Sequence, residues 1–146
     1  MSCLETYATL RIFSDSLHPD EVTRRLGVEP TMGRPINLES KYRHERESHY
    51  WGWSSDSQVA SRDGLEHIGS IVELLRGKHD ALQDLQRVGC QIDRCCYWVS
   101  SGQGGPSLDV AAIKALSSLD LEIWWDVYFG HPKDYGEASP SCRGSA

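Results

Sequence analysis

The sequence predicts an α+β fold: a ferredoxin-like, four-stranded, mostly antiparallel sheet with helices on one face, in the order β-α-β-α-α-β-α-β. Three observations lead there. "LRIFSDSLHPDEVTRRLGVEPT" (10–31) runs from a strand pattern through polar punctuation into a helix pattern. "YWVSSGQGGPSLDVAAIKALSS" (97–118) repeats that move, and two helical segments lie between the two stretches. A right-handed crossover puts each helix on the same side of its strands. Two such units side by side make the sheet, enlarged where a hairpin would join the halves.

The elements follow in chain order. Over 6–14, Ala8, Leu10 and Ile12 alternate with Tyr7, Thr9, Arg11 and Phe13, the period of a strand. Ser14, Asp15 and Ser16 break it. Pro19 suits the first position of a helix, where its missing N–H would be unpaired anyway. Asp20 and Glu21 then sit at the positive end of the helix dipole, and Arg24 and Arg25 at the negative end. Leu17, Val22 and Leu26 form a narrow apolar stripe, and Gly27 supplies a left-handed stop. The stretch 29–48 is polar, carries Pro30 and Pro35, has no period and reads as a long loop. "HYWGWS" (49–54) is a strand with Trp51 and Trp53 on one side, and Gly52 weakens it or marks a close approach. Leu65, Ile68, Val72 and Leu75 define a helix over 64–76, widened by Ile71. Leu82, Leu85 and Val88 define a second over 78–88, ended by Gly89. "QIDRCCYWVS" (91–100) is a strand. Ser107 or Asp109 caps a helix carrying Val110, Ile113, Leu116 and Leu119. In "LEIWWDVYF" (121–129), Leu121, Ile123, Trp125, Val127 and Phe129 point one way; Glu122, Trp124, Asp126 and Tyr128 point the other.

The 146 residues fit one domain over 1–130, followed by a loose tail at 131–146 that holds Pro, Gly, Ser and Asp. With 39% hydrophobic and 25% charged residues the composition is that of a globular protein. No apolar run approaches the ~20 residues that span a bilayer, and the N-terminus has no export signal. Five cysteines, an odd number in a chain too long to need a disulfide scaffold, read as reduced thiols in a cytoplasm. A net charge of −6 argues against tracking phosphates, so nucleic acid is not an expected partner.

At 7–31, "YATLRIFSDSLHPDEVTRRLGVEPT" resembles the start of a bacterial family catalogued as domain of unknown function 4279. The matching features are the Ser14–Asp15 turn, the helix start at Pro19 and Glu21, and the exit at Leu26, Gly27, Val28 and Pro30. The Trp51 and Trp53 strand and "HIGSIVELL" (67–75) also fit, and the resemblance covers roughly 6–129. It brings no catalytic residues to this chain. It implies a small cytoplasmic protein of the kind suspected to protect against toxins.

Chemistry-bearing patterns are sparse. "SSGQGGPS" has the strand–glycine–helix order of an anion loop but lacks Gly-Lys-Ser/Thr, so flexible connection is the stronger reading. Cys95 and Cys96 point to opposite faces of a strand and cannot share a metal, and core packing explains them better. His44 and His49 lie in a loop without a ligand pattern. No Gly-x-Ser-x-Gly elbow occurs, and helix-start electrostatics explain Asp20 and Glu21. The sheet face away from the helices is more informative. Glu122, Trp124, Asp126 and Tyr128, joined by Tyr97 or Trp98, interleave rings with acids, which suits a protein interface. The basic loop adds Arg34, Arg43 and Arg46, together with Lys41.

The expected function is therefore a non-enzymatic cytoplasmic binding protein. The resemblance extends this to an immunity protein that blocks a toxin by direct contact. Trp124, Tyr128 and Tyr97 would be anchors, with Glu122 and Asp126 meeting basic groups. The alternative is a small-ligand or anion sensor, or an enzyme, using the turns after strands one and three: Ser14, Asp15, Gly102, Gly104 and Gly105. A homodimer through its own apolar face is a third arrangement. No cofactor, metal or membrane is expected.

Overall fold

The computed structural model describes residues 3–130, so the tail expected at 131–146 lies outside the described residues. The elements are β1 (Cys3–Ser14), α1 (Pro19–Leu26), β2 (Met32–Arg34), α2 (Arg43–Glu47), β3 (His49–Ser54), α3 (Gly64–Leu74), α4 (His79–Arg87), β4 (Gln91–Ser100), α5 (Val110–Ser118) and β5 (Glu122–Phe129).

Local chemistry explains the helix ends. His18 caps α1, its Nδ1 accepting from the Asp20 N–H, and Gly27 closes the helix at φ 71° with its N–H donating to Thr23 O. Arg24 and Arg25 both bind Glu21 and hold its carboxyl down at about 2. Asp63 caps α3 through the Leu65 N–H, and Asp109 caps α5 through the Ala112 N–H.

The sheet has five strands and is mixed, in the order β2-β3-β1-β4-β5. The expected four-stranded ferredoxin-like arrangement is corrected on two points. First, β1 and β3 run antiparallel, Thr9 opposite Ser54 and Ser14 opposite His49, so the first half is not a β-α-β crossover. The second half is: β4 and β5 are parallel neighbours joined through α5. The reason lies in the stretch read as a loop. It contains β2, which pairs antiparallel with β3, and α2. Together they return the chain to the sheet as an antiparallel strand. Second, the sheet has five strands instead of four, because β2 adds an outer strand beside β3; β1 is the central strand, flanked by β3 and by antiparallel β4.

The register sorts side chains onto two faces. Ile12 lies opposite both Trp51 and Ile92, and Cys96 lies between Ala8 and Trp125. These residues meet Val22, Leu26, Ile68, Ile71, Leu75, Leu82, Leu85 and Leu116 from the helices in the main core. The second buried cluster, Tyr7, Cys95, Tyr97 and Val99, consists of strand residues on the opposite face. All helices with buried residues thus serve one face, as expected. In α5 only part of the predicted stripe is covered: Leu116 and Leu119 are buried, while Val110 and Ile113 are exposed. No helix among the described residues is long and apolar enough to cross a membrane.

Candidate functional site

The face away from the helices is a packed surface. Tyr97 is 3% exposed and stacks on Tyr7, its register partner, with centroids 4.7 Å apart. Tyr128 meets Tyr97 at 5.6 Å. Trp124 and Tyr128 are half-buried against this cluster. Tyr97 is therefore corrected: it is an interior residue, unavailable as an anchor. Trp124 has an internal role. Arg11 holds Asp93 through two bonds of 2.7 Å, its guanidinium lies 4.7 Å from the Trp124 ring, and the Trp124 indole N–H donates to the same carboxylate at 3.3 Å. This bidentate pair sits at the Arg11–Asp93 register position. Glu122 is exposed, and Asp126 accepts from the Tyr128 hydroxyl at 3.4 Å.

The basic residues lie on the other edge. β2 and β5 are the two outer strands, about 19 Å apart at ~4.8 Å per step, so Arg34 and the β5 residues do not form one patch. Within the segment, Arg43 pairs with Glu47 and Arg46 donates to Ser40 O. Arg34, opposite Tyr50, keeps Nε and Nη1 buried without a partner among the described residues.

One histidine fastens this segment. His49 Nδ1 accepts the Ile36 N–H at 3.0 Å, and its ring lies 5.6 Å from His18. Burial first, then His18 and Arg34, push its pKa below the usual histidine value. The unfolded chain, titrating near 6.5, binds the proton better. The contribution to stability is therefore complete above about 6.5 and declines as the pH falls below it. Protonation also ends acceptance from Ile36. The Ile36 amide is expected to lose hydrogen-exchange protection, corrected for intrinsic rates, as the pH is lowered from about 7.5 to about 4.5, with the loss below the usual histidine value near 6.5. Unchanged protection in that range refutes the fastening role.

The turns proposed for a small ligand do not meet. Ser14 ends β1 and Asp15 follows it, while Gly102, Gly104 and Gly105 follow β4, whose last residue Ser100 lies opposite Cys3. They stand at opposite ends of a twelve-residue strand, about 35 Å apart. Ser14 instead closes its own turn, its Oγ accepting from Ser16 and Leu17. Gly104 and Gly105 line a cavity of about 300 Å³ with Arg62, Asp63, Gly64 and Trp98. Asp63 already caps the helix end there.

Three features escaped the sequence. Ser55 Oγ accepts the Ala8 N–H at 2.9 Å and lies 2.6 Å from His67 Nδ1; His67 Nε2 lies 2.9 Å from Ser61 O. Only the N–H of Nε2 can serve a carbonyl, so Nδ1 accepts the Ser55 hydroxyl proton. Ser55 and His67 are 0% and 2% exposed, which makes this a structural tie and not a nucleophile with its base. Arg94, 1% exposed, donates to the carbonyls of Leu121 and Glu122. Burial lowers its pKa to about 10. The third feature is apolar and exposed. Phe129 is 66% and Val127 39% exposed on β5, and Val110 67% and Ile113 51% on α5. In a parallel β4-α5-β5 unit the helix starts at the end where β5 finishes, so Val110 and Ile113 belong to the same end of the unit as Val127 and Phe129.

Burial disfavours the thiolate of the three free cysteines among the described residues. Burial raises the pKa of Cys3 and Cys90, and that of Cys96 to about 12. Cys3, Cys90 and Cys96 are free, while Cys95 is disulfide-bonded, which corrects the expectation of reduced thiols throughout. No group of three His, Cys, Asp or Glu side chains suited to a metal occurs among the described residues.

A helix layer on one face of a mixed five-stranded sheet defines an α+β protein. A family model described as Domain of unknown function (DUF4279) matches residues 4–130. The chain belongs to that family. No curated protein and no solved structure matches it.

Proposed function

We infer that this protein is a non-enzymatic binding protein that grips another protein, in the manner of an immunity protein occluding a toxin. The supporting observation is the exposure of four apolar side chains at one end of the β4-α5-β5 unit, Val110, Ile113, Val127 and Phe129. Exposed apolar residues gathered in one place mark interaction sites more often than isolated ones do. β5 is an outer strand of the sheet, so its backbone suits strand addition, with Phe129 and Val127 filling pockets on the partner. Glu122 and Asp126 alternate with them on the other face, and the chain carries a net charge of −6. A basic rim around an apolar centre is the matching partner surface.

The test is co-expression with the products of neighbouring genes, followed by calorimetric titration of any complex. Phe129→Asp combined with Ile113→Lys is expected to weaken binding about 100-fold while leaving the melting temperature unchanged, because both side chains are already exposed. Undiminished affinity in that variant, or no complex with any neighbouring product, overturns the reading. Self-association abolished by the same variant would assign these residues to a second copy of the chain instead.

A further inference from the structure

The cavity of about 300 Å³ is built from three parts of the chain. Arg62, Asp63 and Gly64 come from the entry to α3, Trp98 from β4, and Gly104 and Pro106 from the turn that leaves β4. Its volume suits one small molecule.

The polar groups of this cavity are not satisfied by each other. Trp98 is 5% exposed, and its indole Nε1 is buried with no acceptor among the described residues. A buried donor without a partner is destabilising, so an entering acceptor is favoured there. The Cζ3 edge of the ring lies 3.8 Å from where a Cβ on Gly64 would sit, so the N–H edge is turned away from the entry to α3. Arg62 is exposed and makes no ion pair among the described residues. Asp63 accepts the Leu65 N–H at 3.0 Å through Oδ1 alone, which leaves Oδ2 for another donor. A cation and an anion thus stand on adjacent residues without pairing with each other.

That combination selects a ligand. A simple anion would meet Arg62 but be repelled by Asp63, and a simple cation the reverse. A molecule carrying both charges on neighbouring atoms satisfies both. We propose that this cavity binds a free α-amino acid with an apolar side chain. The carboxylate accepts from Arg62 and from the Trp98 indole N–H, and the ammonium donates to Asp63 Oδ2. The apolar side chain rests against Pro106 and the Trp98 ring. Gly104, at φ 112°, gives the turn the left-handed bend with which it closes over the ligand. The site shares no residue with the one assigned to a protein partner, so each can fail without the other.

The test uses the full chain with its five tryptophan indoles isotope-labelled for NMR; the signal that disappears in Trp98→Phe belongs to Trp98. L-leucine is expected to move that signal downfield as the N–H gains an acceptor, with a Kd of about 0.1 mM. Isocaproate, which is leucine without the ammonium, and isoamylamine, which is leucine without the carboxylate, should each bind at least about tenfold more weakly. Arg62→Gln and Asp63→Asn change exposed side chains, and Asn keeps an oxygen for the helix cap. Each should weaken leucine about tenfold while the melting temperature stays close to that of the wild type. No shift of the Trp98 signal by leucine, valine or phenylalanine overturns the proposal. So does isocaproate binding as tightly as leucine, or an Arg62→Gln variant that keeps the wild-type affinity.

Discussion

His67→Ala is expected to lower the unfolding free energy by about 3–5 kcal/mol, measured by urea denaturation. The imidazole is 2% exposed and bridges Ser55 Oγ to Ser61 O. Through Ser55 it also reaches the Ala8 N–H of the central strand. Truncation opens a cavity, leaves the Ser61 carbonyl without its donor, and leaves the Ser55 hydroxyl proton with no acceptor at its former position. These losses act together because Ser55 and His67 are buried and share one network. Ser55→Ala should cost less, about 1–3 kcal/mol. The double variant should cost less than the sum, because the two residues share one bond. A loss below 1 kcal/mol for His67→Ala, or strict additivity, removes the tie from the account of stability.

Gly52→Ala is expected to cost about 2–3 kcal/mol by overpacking, a large effect for one methyl group. Tyr50 lies over Gly52 on the face away from the helices. A Cβ at position 52 would meet the Tyr50 hydroxyl, with Cζ at 2.7 Å and Cε1 at 2.9 Å. The ring cannot swing clear: it is 2% exposed and meets Phe13 at 5.2 Å, and the same burial pushes its phenol up to about 12. A Gly52→Ala, Tyr50→Leu double variant should therefore lose less than the sum of the single changes. If the two costs simply add, the clash is not the cause, and the ordinary preference of strands for side chains over glycine would make Gly52→Ala neutral or favourable.

The sequence readings succeeded where a signal is local. α1 is specified by adjacent residues, from His18 and Pro19 to Gly27, and it forms over Pro19–Leu26 with those residues as cap and stop. β3, at His49–Ser54, and β4, at Gln91–Ser100, keep the bounds read from alternation and punctuation. Pairing was harder, because nothing in β1 or β3 states which direction they take beside each other. That depends on the excursion through β2 and α2. β2 is three residues long and α2 five, too short to show a period. The face of each β5 residue was legible from alternation, but its exposure was not. Val127 and Phe129 point to the helix side yet emerge beyond its cover, while Trp124 and Tyr128 point away and are half-buried. Coverage is a property of neighbours distant in sequence. The same holds for Ser55 and His67, which lie twelve residues apart without a motif.

The position of β1 has a consequence for how the chain is made. Among the described strands it is translated first, and it has two antiparallel partners, of which β4 spans 91–100. Until that stretch has been translated, one long edge of β1 has no neighbour, and a nascent chain carries a sticky ribbon through most of its synthesis. Pairings this remote in sequence also slow the search for the native state. Slow translation before residue 91 should therefore raise the aggregated fraction, and a trigger-factor-like holdase should suppress it.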